Sequence, residues 1–124
     1  MIPMIISHKI KLATRAAKYS NVKRAKVSAI AFTGSGQLLA TAHNRRLNGV
    51  RHKWTQHAEE YLIQKLHKLK AFARFEDICI LVLRIKKKGL AIAKPCKKCV
   101  ALLEKYPVTI LYTDIDGIVQ EIRT

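Results

Sequence analysis

The apolar positions of this chain alternate between helical and strand spacing. From Ile10 to Ser20 the apolar residues Ile10, Ala13, Ala16 and Ala17 stand mostly three or four apart with Lys and Arg between, which predicts a short helix ended by Ser20-Asn21. Lys26 to Phe32 reads as a strand, Gly34-Ser35-Gly36 as a turn and Gln37 to Ala42 as a returning strand, so the pair predicts a hairpin. Residues 43–56 are polar and read as a loop. Helical spacing resumes at Ala58, Leu62, Leu66 and Leu69. Thr55 is the expected N-cap there, and Glu59 and Glu60 fall in the first turns, where the helix dipole favours negative charge.

Ile78 to Ile85 is apolar on both alternating faces, the mark of a central strand covered on both sides. Lys86-Lys87-Lys88-Gly89 turns the chain into a short apolar piece, Leu90 to Ala93. Pro95 suits a first helical position, with a helix from Cys96 to Lys105. Val108 to Tyr112 and Ile118 to Ile122 are strands joined at Asp116-Gly117, a turn too short for anything but antiparallel pairing. The order α-β-β-α-β-α-β-β predicts a layered α/β domain with a mixed sheet of about five strands.

A length of 124 residues fits one domain, 1–124, and no repeat or linker interrupts it. No apolar run reaches the roughly 20 residues that span a bilayer, so no membrane partner is expected. The apolar start, Met1 to Ser7, lacks a basic n-region and a cleavage site and does not read as a secretory signal. Three cysteines, two of them at C-x-x-C spacing, make a poor disulfide framework. They read better as a metal or redox pair in a reducing compartment, hence the cytoplasm. The charge is lopsided: 24 Lys+Arg against 8 Asp+Glu give +16, and the first acid is Glu59. Such a field attracts phosphates, nucleic acid or anionic lipid and says nothing about fold.

Two short pieces carry chemistry: His57-Ala58-Glu59 and Pro95-Cys96-Lys97-Lys98-Cys99, each at a predicted helix start. H-x-E alone is common by chance, and a lone C-x-x-C can be a redox pair or half of a structural zinc site. Together, in this order, they match the zinc deaminase signature H-x-E…P-C-x-x-C. Cys96 and Cys99 are three apart, which places both thiols on one side of a helix start. A helix N-terminus lowers a thiol pKa and favours the thiolates that zinc needs. One His and two Cys leave a fourth tetrahedral position open for water, which zinc activates at neutral pH. Glu59 is close to the metal but free of it, and can carry the water's proton to the ring and the leaving amine. Cys79, inside an apolar strand, reads as a small core residue.

On these motifs the sequence resembles the cytidine deaminase superfamily. The likeness extends to ATRAAKYS at Ala13 to Ser20, VSAIAFTGSGQLLATAHN at Val27 to Asn44, and YTDIDGIVQEI near the end. The resemblance implies a three-layer α-β-α sandwich with a five-stranded mixed sheet. It implies Zn2+ on His57, Cys96 and Cys99, with Glu59 as proton shuttle. Asn44 would contact the sugar or base, and the Ala58 N–H the base carbonyl. The same Asn44 also suits a plain turn after a strand. Antiparallel closing strands are the trait of free-cytidine deaminases and several toxin deaminases, whereas a His as the nitrogen ligand departs from the usual free-cytidine pattern. A homo-oligomer is implied by the assembly of related enzymes.

The expected reaction turns cytosine into uracil. A free nucleoside or nucleotide fits Arg45, Arg46 and Arg51, whose forks suit a single 5′-phosphate between Asn44 and the zinc motif. A base within single-stranded DNA or RNA fits the net charge, with Trp54 as the stacking candidate and Tyr61 next. The aromatic content of 6% argues against an extensive stacking platform. A third reading is a non-catalytic basic nucleic-acid-binding zinc protein, in which Glu59 would be replaceable.

Overall fold

The computed structural model describes residues 3–22, 26–48, 53–86 and 89–122. The expected strands form where alternation placed them. β1 (Lys26–Thr33) and β2 (Leu38–His43) pair antiparallel, and β1 also pairs antiparallel with β5 (Ile78–Lys86). β5 runs parallel to β7 (Val108–Thr113), which pairs antiparallel with β8 (Val119–Ile122). The sheet order is β2-β1-β5-β7-β8. The short β6 (Gly89–Ala91) pairs with the end of β5 and makes a sixth strand that the five-strand expectation did not count. At the closing turn Gly117 has φ 77°, a left-handed conformation that glycine adopts without a Cβ clash.

Strand parity sorts the core into two layers. Ala29 and Ala31 of β1, Ile78, Ile80 and Val82 of β5, and Ile110 of β7 face α2 (Ala58–Lys68) and α4 (Lys97–Leu103). Leu62, Leu66 and Leu103 of those helices close that layer, all fully buried. On the other face Ile30, Phe32, Leu81 and Leu83 meet Ala13 and Ala17 of α1 (Pro3–Ala17). Helices on both sides of the sheet give the expected three layers. Lys9 of α1 is buried, its Nζ donating to the Gly36 carbonyl at 2.6 Å.

Four local expectations need correction. α1 runs from Pro3 to Ala17 rather than from Ile10 to Ser20. The apolar start extends the same stripe back through Ile6, and proline is at home in a first helical turn. The polar stretch 43–56 is not a loop: β3 (Arg45–Asn48) and β4 (Lys53–Gln56) form a separate antiparallel ribbon. Its single apolar pair, Leu47 opposite Trp54, leaves no alternation to read. The N-cap of α2 is His57 (φ −69°, ψ 149°), not Thr55, whose backbone belongs to β4. Pro95 lies outside α4, whose N-cap is Cys96 and whose last helical residue is Leu103, not Lys105. A four-residue helix, α3 (Ala71–Arg74), follows α2.

Candidate metal centre and cavity

The β3–β4 ribbon places the first half of the site. Its outermost pair is Arg45 with Gln56, so the flanking residues Asn44 and His57 are brought together although they are thirteen apart in sequence. Both line one cavity of about 220 Å³, with Ala58, Glu59, Val27, Val82, Arg84 and residues 92–96. β6 and the segment after it deliver Cys96 from the other side, tied in by Ala93 N–H donating to the Thr113 carbonyl at 3.0 Å.

Two helix N-termini therefore meet here, and both N-caps are unusual. His57 caps α2 and Cys96 caps α4, yet neither side chain makes a capping hydrogen bond to its helix. They face each other instead. His57 Nδ1 lies 3.2 Å from Cys99 Sγ and 3.9 Å from Cys96 Sγ, and the three donor atoms all fall within 4.8 Å of one another. Tetrahedral zinc with the usual Zn–N and Zn–S lengths separates N and S donors by about 3.6 Å, between those two distances. The donor set of one imidazole and two thiols, of the type that zinc prefers, fits Zn2+ on His57, Cys96 and Cys99.

Electrostatics set the protonation of the centre. Burial pushes the Cys99 thiol well up, and the Glu59 charge and the neighbouring Cys96 add to it. Burial is the largest cause, and the charge of a bound cation is what would hold such a thiol deprotonated. Glu59, 4% exposed, sits in the first turn of α2. Burial raises its carboxyl above the ordinary value, opposed by its backbone hydrogen bond, the His57 charge and the hydrogen bond with Cys99.

The candidate contacts divide. Asn44 is buried and its carboxamide is fixed: Oδ1 accepts from Ser20 Oγ at 2.6 Å and from the Val27 N–H at 2.9 Å. Ala58, fully buried, begins α2 on the cavity wall. Arg45 does not line the cavity; its Nε donates to Gln56 Oε1 at 2.7 Å and its guanidinium covers the Tyr61 ring at 3.8 Å. Arg46 is exposed on the ribbon, its N–H donating to Asn21 Oδ1. Arg51 lies outside the described residues, as does the side chain of Trp54. Tyr61 is packed against the core and is faced by Lys65 and His43 besides Arg45. Cys79 is half-buried against the α1 layer, as expected. Sequence reasoning missed Arg84 and Lys94 on the cavity wall. The signal for Arg84 was there: it is the charge that ends the apolar face Ile78, Ile80, Val82.

Comparisons with known proteins give the family and the fold. The family model described as "Cytidine and deoxycytidylate deaminase zinc-binding region" matches residues 5–113. Among solved structures, the dCMP deaminase of cyanophage S-TIM5 in apo form is similar at 24% identity over 95% of this chain and 90% of that chain, with a TM-score of 0.66. The same enzyme in complex with dCMP and dUMP matches at 22% identity over 92% and 84%, TM-score 0.66. Cytidine deaminase from Burkholderia pseudomallei matches at 17% identity over 94% and 90%, TM-score 0.67. These structures share the fold. No curated protein matches the sequence. With a family match over most of its length and a His-Cys-Cys cluster beside a buried glutamate, the chain belongs to the cytidine and deoxycytidylate deaminase zinc-binding family.

Proposed function

We propose that this protein is a zinc-dependent hydrolase that converts the cytosine of a free nucleoside or nucleotide to uracil. The observation that carries the reading is the placement of Glu59. It is a buried carboxylate, raised in pKa, on the wall of the cavity that His57, Cys96 and Asn44 also line, and Cys99 completes the donor cluster beside it. A structural zinc site has no use for such a costly group.

His57, Cys96 and Cys99 hold the metal in this reading. Bound zinc supplies a Lewis acid that makes water a nucleophile at neutral pH. Glu59 takes the water's proton and passes it to the ring nitrogen and then to the leaving amine, so that cytosine and water become uracil and ammonia. The Ala58 N–H meets the base carbonyl, and the Asn44 carboxamide holds the sugar.

Two observations favour a small substrate over a strand. The cavity has a volume of only about 220 Å³, and Tyr61 is already covered by two cationic side chains. Residues 1–124 act as one deaminase domain in this reading, and the two thiols of the centre suit the reducing cytoplasm. We take the working form to be a homo-oligomer; support comes from the apolar groove between α1 and β8, where Ile118 is 58% exposed. Incubation with deoxycytidine, its 5′-monophosphate and a cytosine-containing oligonucleotide tests the substrate. Uracil is expected from the small substrates. Uracil from the oligonucleotide alone would establish the editing reading instead, and ammonia release unchanged in Glu59→Gln would sink the enzyme.

A further inference from the structure

Arg84 is half-buried, and one donor of its guanidinium lies in a dry place. It lies on the central strand β5, in register with Val27 of β1 and Ala91 of β6. Strand parity puts it on the face of Ile78, Ile80 and Val82, looking toward α2. It lines the catalytic cavity together with Asn44 and Glu59. Its Nε is buried without a hydrogen-bond partner among the described residues. A buried donor on a charged group left unpaired costs more than a neutral one, and native structures keep few of them. Glu59 does not fill the role: the charges that bear on it are those of His57 and Glu60.

A second cation shares the wall. Lys94 is exposed on the segment between β6 and Cys96 and lines the same cavity. The two approach from different elements, Arg84 from the sheet floor and Lys94 from the rim. A ligand group that satisfies both is an anion with several acceptor oxygens and more than one negative charge. A terminal phosphate monoester has both properties. It offers paired oxygens to the guanidinium fork and a further charge to the ammonium.

We propose that Arg84, with Lys94, forms the subsite for the 5′-phosphate of a cytosine mononucleotide and selects it over the free nucleoside. This rests on the deaminase reading above. It assigns to the sheet the task that Arg45 and Arg46 do not serve from the ribbon. An internal phosphodiester shares the chemistry but carries one charge and drags a strand after it. The half-buried position of Arg84, on the same cavity wall as the exposed Lys94, favours the terminal group.

The test compares kcat/KM for deoxycytidine, its 5′-monophosphate and an oligonucleotide with one internal cytosine and no terminal phosphate. The parent, Arg84→Gln and Lys94→Gln are measured side by side. The parent is expected to prefer the monophosphate. Arg84→Gln is expected to lower kcat/KM for the monophosphate about 100-fold more than for the nucleoside, the scale of a charged hydrogen bond pair. Lys94→Gln, at an exposed position that does not threaten folding, is expected to lower the ratio about 3- to 10-fold, as suits a partly solvated charge. Equal losses on nucleoside and monophosphate would overturn the proposal and make Arg84 a contact to the base or a structural residue. Arg84-dependent turnover of the oligonucleotide would overturn the mononucleotide assignment. Calorimetric binding of uridine 5′-monophosphate against uridine gives a readout without turnover. Arg84-dependent preference for the monophosphate with no deamination would defeat the enzyme reading alone. Deamination with the same affinity for both ligands would defeat the phosphate subsite alone.

Discussion

Glu59 shows how one residue sets function against stability. Its carboxylate is dry, and burial lifts its pKa. Glu59→Gln keeps the shape and removes the charge. Zinc content should stay at one per chain by elemental analysis, while turnover falls about 10²- to 10⁴-fold, the usual share of a proton carrier. The metal-free variant should melt no lower than the metal-free parent. The sign follows from linkage. A carboxyl with a raised folded pKa lends stability below its unfolded value, near 4.5, and loses it as pH rises through the folded value. The advantage of Glu59→Gln should therefore grow toward neutral pH and shrink in acid, which melting at several pH values checks. His57, Glu59, Cys96 and Cys99 were legible because two short spacings carry them. Arg84 was visible only as the charge that ends an apolar strand face, with no partner motif in sequence to give it a task.

Among the elements, the strands and α2 could be read because burial imposes a period on them. The β3–β4 ribbon could not, since it lies outside the main sheet and its backbone pairing demands no alternation. Yet the ribbon does much of the positioning: its closed ends set Asn44 beside His57. Ser20, at the foot of α1, then fixes Asn44 by donating to it, while its own hydroxyl oxygen accepts from the Val22 N–H at 3.1 Å. Ser20→Ala should cost about 1–2 kcal/mol by chemical denaturation, the scale of a buried hydrogen bond. It should raise KM by a larger factor than it lowers kcat, because it frees the side chain proposed to hold the sugar and leaves Glu59 and the metal donors in place. Leu62→Ala, in the middle of α2 and fully buried, should cost about 2–5 kcal/mol in the same assay. That loss belongs to packing and should leave KM nearly unmoved in the folded fraction.

At the scale of the molecule, the charge of +16 and the small cavity should act separately. The surface field should retain single-stranded oligonucleotides at low salt, with an affinity that falls steeply as salt rises. That retention should yield no uracil, and binding by fluorescence anisotropy alongside product analysis checks both halves. The centre where two N-caps meet has a further consequence for the chain as a polymer. His57 and Cys96 are 39 residues apart, and a metal shared between them closes that loop. In chain-entropy terms a crosslink over such a span is worth about 4 kcal/mol, the scale of a disulfide. Unlike a disulfide, it can be undone by a chelator under reducing conditions. The centre would thus be a removable staple as well as the proposed reaction site. Chelation should drop the melting midpoint and expose the chain between the two helices to protease, and zinc should restore it. The lifetime of the protein would then follow zinc supply, and a copy that has lost its metal is marked for removal by the same event that silences it.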